Sequence, residues 1–415
     1  MNVGIVGLGY VGLPLAVSFC EAGHNVVGVD VDPRKVDALK RAKSYIEDVP
    51  SETLEAISER LCASLRFADL TRCDAVIIAV PTPLTRNREP DLGPLLAASA
   101  AIAAVLQRGQ LVVLESTTYP GTTRERLVPL LEESGLAAGS DFNLAFSPER
   151  VDPGRTDYSM RNTTKVVGGL TEACLARAAA LYGEICEEIV PVSTPEVAEL
   201  TKLLENIFRS VNIALVNELA MLCDRMNIDI WEVVDAASTK PYGFMRFEPG
   251  PGMGGHCLPV DPFYLAWRAR EFGSPTDFIE LAGEVNQAMP RFCAEKVTRA
   301  LNETSKPVRG SRIAILGVSY KSGVGDLRES PALKIMDILS EQGGELCYHD
   351  AYVPALADFD LRSEPLADAL DDCDVAVIVT AHPGLDLDLV TDRAPIIVDF
   401  RGVTAGKYSR EVVRL

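Results

Sequence analysis

The stretch Val3-Gly-Ile-Val-Gly-Leu-Gly-Tyr-Val-Gly12 decides how the first part of this chain folds. A short apolar run ends in the pattern GxGxxG, a helical pattern follows, and a second strand-like run covers Asn25–Asp30. Gly7 suits a tight turn, Gly9 lets a pyrophosphate approach the backbone, and Gly12 lets the helix pack against the strand. The stretch therefore predicts a dinucleotide-binding strand, turn and helix.

The position of Asp30 helps to choose the dinucleotide. It ends the second strand, where a carboxylate can accept hydrogen bonds from the adenosine ribose. An acid there would repel a 2′-phosphate, so the sequence favours NAD over NADP. The alternative is a purely structural glycine turn, because GxGxxG without this context is a weak signal.

Two more apolar runs extend a predicted parallel sheet. They are Cys73–Val80 and Leu111–Glu115, and each leads into a loop that is polar or rich in proline. The loops read PTP over residues 81–83 and STTYPG over residues 116–121. Ligands bind at the carboxyl ends of parallel strands, so we expect both loops near the site.

A long helix is predicted in the middle of the chain. Residues 195–224 carry apolar side chains at three- and four-residue spacing over nearly thirty positions. This is longer than the helices of most globular domains. We expect this helix to span domains or to form a dimer interface.

A third section repeats the pattern of the first. Its strand-like runs are Arg312–Gly317, Gly344–Asp350, Cys373–Thr380 and Pro395–Asp399. The first turn, GVSYKSGVGD, lacks the GxGxxG spacing, which favours a different phosphate-bearing ligand. A domain with a structural role alone is the alternative.

The predicted fold class is α/β, with two Rossmann-like doubly wound domains joined by a long central helix. We place a dinucleotide-binding domain at residues 1–194 and a second α/β domain at residues 306–415. Residues 195–305 form a central section that holds the long helix and the glycine-rich loop described below.

Composition excludes several classes of protein. The 415 residues carry a net charge of -19, which argues against nucleic acid or an anionic membrane as partner. An 18-residue apolar run without charge is absent, so we expect no transmembrane helix, no signal peptide and a cytoplasmic protein. The ten cysteines are scattered singly and only four histidines are present, which predicts no metal site.

The stretch PGPGMGGHCLPVDPFYL, residues 249–265, sets Cys257 among four glycines, and Asp261 follows. Glycines allow a backbone to lie close against a ligand. A thiol near a nicotinamide can trap an aldehyde as a thiohemiacetal, which a second oxidation turns into a thioester that water cleaves. The residues thus suggest oxidation of a primary alcohol to an acid, with two NAD reduced.

Such chemistry also needs a base and a group that stabilises an oxyanion. Lys202 and Asn206 are four residues apart on the predicted helix and share one face. Lys202 could lower the pKa of the thiol, and Asn206 could donate a hydrogen bond. Lys202, Asn206 and Asp261 also have purely structural interpretations. Lys202 could be a solvated lysine, Asn206 a bridging amide, and Asp261 a turn residue before Pro262.

The chain resembles the nucleotide-sugar 6-dehydrogenase family, which includes UDP-glucose, UDP-N-acetylhexosamine and GDP-mannose dehydrogenases. The resemblance covers essentially the whole length. It rests on the blocks GLGYVGLP, VPTP, ESTTYPGTT, FSPERVDPG, KLLENIFRSVNIALVNE, PGMGGHCLPVDP, GVSYKSGVGDLRESP and VDFRG. Several independent blocks in the family's order make the match specific.

The resemblance implies roles for individual residues. Cys257 would be the nucleophile, Lys202 and Asn206 would stabilise the oxyanion, and Asp261 with Lys202 would hold a water. Thr117 and Glu149 would orient or activate that water, with Glu149 as the favoured base for thioester hydrolysis. The family also uses its long helix as a dimer core, which implies a homodimer through residues 195–224.

The resemblance places the ligands as well. The residues implied for NAD are Gly7, Gly9, Tyr10, Val11, Gly12, Asp30, Lys35, Thr82, Thr117 and Arg328. The residues implied for a UDP-sugar held between the domains are Glu149, Arg150, Lys202, Asn206, Arg246, Gly250, Gly254, Tyr320, Lys321 and Arg401. Arg246 could alter sugar selectivity or be a surface residue.

The favoured substrate is UDP-N-acetylglucosamine. The segments PTPLTRNREPDLGP, AFSPERVDPG and ASTKPYGF resemble that branch of the family more than the UDP-glucose branch. UDP-glucose is the first alternative, and UDP-N-acetylmannosamine or GDP-mannose the next.

Three other functions compete with this one. A 3-hydroxyacid dehydrogenase also uses a helical Lys-xxx-Asn pair but needs neither Cys257 nor the third section. A catalytically silent sensor of NAD or nucleotide sugar conflicts with the complete set of candidate catalytic residues. A redox-regulatory protein has only the number of cysteines in its favour.

Overall fold

The computed structural model describes residues 1–85, 87–151, 157–255, 258–404 and 412–415. The chain folds into two compact units. The first unit contains Met1–Glu205 and Phe263–Ser274, and the second contains Asn206–Pro262 and Pro275–Leu415. The predicted central section is therefore shared between two units.

Within the described part of the first unit, eight strands form one sheet in the order β3-β2-β1-β4-β5-β6-β7-β8. The chain reverses its direction of winding between β1 and β4, which is where such sheets bind ligands. The strands are β1 (Asn2–Val6), β2 (Asn25–Val29), β3 (Leu61–Ser64), β4 (Ala75–Ile78), β5 (Leu111–Leu114), β6 (Asn143–Phe146), β7 (Lys165–Gly169) and β8 (Ile189–Val192).

The strands pair in parallel except for β6 and β7. Ala145 lies opposite Gly169, and Phe146 lies opposite Gly168. The reversal brings the first residue of β7, Lys165, to the edge of the sheet where β5 and β6 end. The sequence did not predict this antiparallel pair.

Helices cover both faces of the first sheet with two apolar clusters, one around Phe19 and one around Phe146. Short apolar helices such as α1 derive their stability from this packing more than from propensity. The helices are α1 (Gly12–Glu21), α2 (Pro33–Lys40), α3 (Ser51–Ala56), α4 (Gly93–Ala103), α5 (Val128–Glu132) and α6 (Glu172–Tyr182). The helix α7 (Pro195–Met226) begins in this unit and continues into the second. The predicted long helix is confirmed as the 32-residue α7.

In the second unit, five of the described strands form a parallel sheet in the order β10-β9-β13-β14-β15. The elements are α8 (Ile230–Ser238), α9 (Asp261–Glu271), α10 (Asp277–Glu303), β9 (Arg312–Leu316), α11 (Pro331–Glu341), β10 (Glu345–His349), β11 (Ala355–Leu356), β12 (Leu361–Arg362), α12 (Leu366–Leu370), β13 (Val375–Ile378), α13 (Leu387–Arg393), β14 (Ile397–Asp399) and β15 (Val412–Arg414). Most of α9 belongs to the first unit. The predicted α/β fold with a second Rossmann-like sheet is confirmed.

Two general properties follow from the described residues. None of their helices is long and apolar enough to cross a membrane, and they contain no cluster of three ligating side chains for a metal ion. The nine cysteines described by the structure are free thiols, and all but Cys62 are buried.

A buried carboxylate ties α7 to the loop after β5. Glu199, with no exposed surface, accepts hydrogen bonds from the backbone N–H groups of Gly121 and Thr123 at 2.6 and 2.8 Å. It also accepts one from the Thr123 hydroxyl at 2.7 Å. Three donors on one loop thus depend on one side chain of α7.

We expect Glu199→Gln to lower the free energy of unfolding by about 1–3 kcal/mol, because a glutamine amide group would face donors that need an acceptor. The matched control is Glu196→Gln, one turn earlier, whose ion pair with Arg124 is partly exposed and should cost less than about 1 kcal/mol. Urea unfolding of both variants measures the difference. Equal losses would contradict a structural role for the Glu199 contacts.

Candidate functional site

The glycine turn between β1 and α1 has the form of an anion-binding turn. Gly7 has φ +94°, and a Cβ on it would lie 2.4 Å from the carbonyl oxygen of Ala79. A Cβ on Gly12 would lie 1.8 Å from the carbonyl oxygen of Gly7. A Cβ on Gly9, in contrast, would meet nothing within 4 Å. Gly7 and Gly12 are needed for packing, whereas Gly9 leaves open space.

The start of α1 fits a phosphate-bearing cofactor in the same place. Val11, at the N-cap, gives the first turn no side-chain hydrogen bond. The N–H groups at a helix N-terminus attract anions when no side chain caps them. The open space at Gly9 and the uncapped helix match the requirements of a dinucleotide pyrophosphate. Tyr10 lies in the same turn.

Asp30 and Lys35 meet at the end of β2. The buried carboxylate of Asp30 accepts hydrogen bonds from the N–H groups of Leu8 and Asp32, both at 2.9 Å. It also accepts one from the Lys35 ammonium at 3.1 Å. Asp30 therefore supports the glycine turn through Leu8, and a contact with ribose stays a prediction.

The loops after β4 and β5 are joined to each other. The Thr82 hydroxyl donates to the carbonyl of Thr117 at 2.7 Å, and the Ser116 hydroxyl donates to the carbonyl of Val80 at 2.7 Å. The Tyr264 hydroxyl, on α9, donates to the carbonyl of Thr82 at 2.9 Å. Two predicted ligand-binding residues, Thr82 and Thr117, are thus brought together.

Glu149 follows β6 and is held by three contacts. One carboxylate oxygen accepts from the N–H groups of Arg150 and Val151 at 2.7 and 2.5 Å. The other lies 3.2 Å from the ammonium of Lys165. Burial raises the pKa of Glu149, but the charge of Lys165, these backbone bonds and the charge of Lys202 together hold it below its ordinary value.

Arg150, which was predicted to bind the sugar, is engaged by α7. Its guanidinium pairs with Glu205 at 2.7 Å and donates to the carbonyl of Thr164 at 2.7 Å. Lys202 lies one turn before Glu205 on α7, and its contacts differ from those of Arg150. Its ammonium makes no ion pair or hydrogen bond with any residue in the described ranges. It is available to bind a ligand.

A group of buried ionisable residues beside Glu149 was not predicted from the sequence. Lys165 and Glu115 are 2% and 1% exposed and form an ion pair. The Tyr182 hydroxyl donates to the second oxygen of Glu115 at 3.3 Å. The sequence did contain a signal for this group: Glu115 directly follows an apolar strand and Lys165 begins one. A charge buried beside such strands needs a partner of opposite charge.

The second unit brings Asn206 and Asp261 together. The side-chain amide of Asn206 donates to the Asp261 carboxylate, and both side chains are buried. Asn206 lies one helical turn after Lys202 on α7. Cys257, the predicted nucleophile, lies outside the described residues.

The glycine-rich loop is anchored within the second unit. The N–H of Gly250 donates to the side chain of Asn217 at 2.9 Å, and Asn217 donates to Asn286 at 2.9 Å. A Cβ on Gly254 would lie 2.5 Å from the Cβ of Tyr320. The close approach of the loop to Tyr320 requires glycine, so these two predicted substrate residues are neighbours.

Arg401 lies beside the same loop. Its Nε donates to the carbonyl of Val379 at 2.7 Å, and a Cβ on Gly250 would lie 3.0 Å from a terminal nitrogen. Burial lowers the pKa of the guanidinium. Within the ranges that the structure describes, Arg401 forms no ion pair. A half-buried guanidinium without a carboxylate suits a phosphate ligand.

The remaining cationic residues predicted to bind ligands are Arg328, Lys321 and Arg246. Arg328 pairs with Asp326, and the backbone carbonyl of Lys321 accepts from the Ser319 hydroxyl at 2.8 Å. Arg246 is partly exposed and pairs with two acidic side chains, Asp235 and Glu248. These partners hold Arg246 at the surface, and neither of them is a predicted site residue.

The second sheet differs from the first at the residue that corresponds to Asp30. Asp350 accepts from the N–H groups of Val318 and Val353 at 2.7 and 3.0 Å and lies 3.0 Å from His382 Nε2. Burial raises the pKa of Asp350, but His382 and the backbone donors hold it below its ordinary value. Asp350 is therefore held by backbone donors as Asp30 is, and differs in having His382 and not a lysine as its side-chain partner.

Family models match three parts of the chain. They describe the UDP-glucose/GDP-mannose dehydrogenase family: its NAD binding domain at residues 1–186, its central domain at residues 196–288 and its UDP binding domain at residues 314–406. The third match covers the section that the 3-hydroxyacid dehydrogenase alternative does not need.

Individual relatives match most of the chain. UDP-N-acetyl-D-glucosamine 6-dehydrogenase of Pseudomonas aeruginosa is 38% identical over 86% of this chain and 84% of its own. NDP-N-acetyl-D-galactosaminuronic acid dehydrogenase of Ralstonia solanacearum is 35% identical over 98% and 97%. The solved structure of UDP-D-ManNAc dehydrogenase from Pyrococcus horikoshii superimposes with a TM-score of 0.91, 33% identity and coverage of 100% and 99%.

The contrast between Gly9 and Gly12 yields a prediction. Gly9→Ala should leave the free energy of unfolding nearly unchanged and weaken NAD binding at least tenfold, because its Cβ enters space that a pyrophosphate would use. Gly12→Ala should destabilise the fold itself, because its Cβ meets a backbone carbonyl. Urea unfolding and NAD titration separate the two effects. Wild-type NAD affinity in Gly9→Ala would contradict the placement of the cofactor.

Proposed function

Because the chain belongs to the UDP-glucose/GDP-mannose dehydrogenase family and is an NAD-dependent nucleotide-sugar dehydrogenase, we propose that it oxidises UDP-N-acetylglucosamine at C6. The hydroxymethyl group becomes a carboxylate. The reaction removes four electrons, reduces two NAD and takes one oxygen from water.

The residues of the chain have separate tasks in this proposal. NAD, when bound at the turn between β1 and α1, supplies the hydride acceptor for both oxidations. The thiol of Cys257 adds to the C6 aldehyde, and Lys202 and Asn206 stabilise the negative oxygen of the adduct. After the second oxidation Glu149 takes a proton from the water that cleaves the thioester, and Thr117 orients this water.

The observation that carries the proposal is the state of Lys202. It is a half-buried ammonium without a partner among the described residues, one turn before Asn206 on an unbroken helix. The charge of Lys202 acts on Glu149, but no carboxylate among the described residues forms an ion pair with it, so the ammonium can still bind a further anion. An oxyanion or a thiolate would be such an anion.

The guanidinium of Arg401, which has no carboxylate partner among the described residues, supports binding of a nucleoside diphosphate in the second unit. It lies beside Gly250, where a Cβ would come within 3.0 Å of a terminal nitrogen, and a guanidinium can bind a phosphate through two parallel hydrogen bonds. Asp261 would share a water with Lys202, and Arg150 and Arg246 would be available to the sugar only after exchanging their present carboxylate partners.

The preference for N-acetylglucosamine rests on the sequence segments named above, whereas the relatives support N-acetylated amino sugars as a class. Those relatives carry glucosamine, mannosamine and galactosamine names at similar identity. The epimers differ only in the orientation of a hydroxyl or acetamido group, so the substrate must be found by experiment.

The first test is the amount of NADH released from a limiting amount of each nucleotide sugar. We expect two equivalents from UDP-N-acetylglucosamine, and less complete conversion of UDP-N-acetylmannosamine, UDP-N-acetylgalactosamine, UDP-glucose and GDP-mannose. Two equivalents from another sugar alone would keep the mechanism and overturn the substrate. One equivalent from every sugar would exclude a four-electron oxidation.

Cys257→Ser is the companion variant. Without the thiol the thioester cannot form, so acid production should fall at least a thousandfold while NAD still binds. Normal acid production by this variant would overturn the assigned role of Cys257. One equivalent of NADH per sugar, unchanged by the substitution, would favour a dehydrogenase of the 3-hydroxyacid type. Binding of NAD and sugar without turnover in the wild-type protein would favour a sensor.

We also propose that the protein is a homodimer through α7. An exposed apolar stripe runs along this helix at spacings of three, four and seven residues, and its side chains are 40–63% exposed. The stripe consists of Val197, Leu200, Leu204, Phe208, Leu215, Leu219, Leu222 and Met226. A continuous apolar stripe of this length is characteristic of a helix that packs against another surface.

Leu215→Arg should convert the dimer to a monomer, because it places a charge in the middle of the stripe. Leu65→Arg is the matched control, a leucine of similar exposure outside α7. Light scattering after size exclusion should give twice the 44.8 kDa chain mass for the wild type and the control. A dimer that survives Leu215→Arg would exclude this interface.

A further inference from the structure

Three adjacent strands converge on one ammonium group. Glu115 follows β5, Glu149 follows β6, and Lys165 begins β7. Because β7 runs antiparallel to β6, the start of β7 lies beside the loop that follows β6. The ammonium of Lys165 is bonded to Glu115 and lies 3.2 Å from Glu149.

The aromatic ring of Tyr182 completes this group. The Lys165 ammonium lies 5.0 Å from the ring centroid, and the Tyr182 hydroxyl donates to Glu115 at 3.3 Å. Lys165 and Glu115 are almost fully buried, whereas Glu149 retains 13% of its side-chain exposure. Of the two carboxylates, Glu149 is therefore the one that a ligand can reach.

We propose that Lys165 and Glu115 are positioning residues that fix the orientation and the charge of Glu149. This inference rests on the proposed function, in which Glu149 is the base for thioester hydrolysis. Neither residue touches the substrate. Lys165 acts on Glu149 directly, and Glu115 acts through Lys165.

The orientation follows from the three contacts on Glu149. Its first oxygen is occupied by the N–H groups of Arg150 and Val151, and Lys165 holds the second from the opposite side. A carboxylate with both oxygens held cannot rotate freely about its last torsion. A base in a fixed orientation needs less reorganisation when it accepts a proton.

The charge of Glu149 follows from the groups around it. The groups facing Glu149 are Lys165 from β7, Glu115 from the end of β5, Lys202 from α7, and Tyr182 and Cys186 from α6 and the residues after it. The cation lowers the pKa of Glu149, whereas burial raises the pKa of Glu115 to about 7 despite the same cation. Two carboxylates share one ammonium, and the backbone donors favour ionisation of Glu149.

The test compares the pH dependence of acid formation in variants that remove opposite charges. In Lys165→Met, Glu149 loses its cation, so its pKa rises and the acidic limb of the kcat profile should move up by about one pH unit or more. In Glu115→Gln, Glu149 is the remaining carboxylate partner of Lys165, so the acidic limb should stay at the wild-type pH or move to a lower pH. Glu187→Gln, an exposed glutamate paired with Arg161, is the control and should leave the limb in place.

A double variant covers the case in which Lys165→Met fails to fold. Lys165→Met with Glu115→Gln removes a cation and an anion together, so the net charge of the cluster is conserved and no new unpaired glutamate is created at position 115. Its acidic limb should lie at a higher pH than that of the wild type, because Glu149 has lost the ammonium that lies 3.2 Å away. Limbs at the wild-type pH in all active variants would overturn this inference alone. A wild-type protein that oxidises no nucleotide sugar would overturn the proposed function and this inference together.

Discussion

The backbone of α7 runs unbroken from Pro195 to Met226, so Lys202 and Asn206 must lie about 6 Å apart along the helix axis on one face. The same helix supplies Glu199 to the loop after β5 and Asn217 to the glycine-rich loop. In each compact unit, a side chain of α7 therefore holds a glycine-containing loop. Most of the stability of a helix in a protein comes from tertiary contacts, and these two are among those that α7 makes.

The distribution of cations explains how an acidic protein can act on an anionic substrate. The net charge of -19 would repel a nucleotide sugar at long range. Lys202 and Arg401 are kept without carboxylate partners among the described residues, at partly buried positions where screening by salt is weaker. Lys165, in contrast, is neutralised by Glu115 and Glu149. Of these three cations, Lys165 binds carboxylates of the protein itself, and the other two can bind a ligand.

The two sheets have similar topology but use the acid after their second strand differently. Asp30 and Asp350 both accept a hydrogen bond from the N–H that follows their turn glycine, but the side-chain partner is Lys35 for Asp30 and His382 for Asp350. A further contrast lies in the turn itself: Gly9 leaves open space beside the uncapped start of α1. Similar strand order therefore does not imply the same ligand, because the ligand is chosen by the polar groups at the strand ends.

The sequence by itself determined the α/β fold, the glycine turn with Asp30 and the long helix, because each depends on local periodicity or on the steric needs of glycine. Only the tertiary structure revealed the cluster of Lys165, Glu115 and Glu149. Its members are up to 50 residues apart and meet because one strand is antiparallel in an otherwise parallel sheet. Strand direction is set by long-range pairing and not by local pattern, so the partners of a buried charge could not be read from the sequence. The ion pair between Arg150 and Glu205 could not be predicted either, because it joins residues that are distant in the sequence.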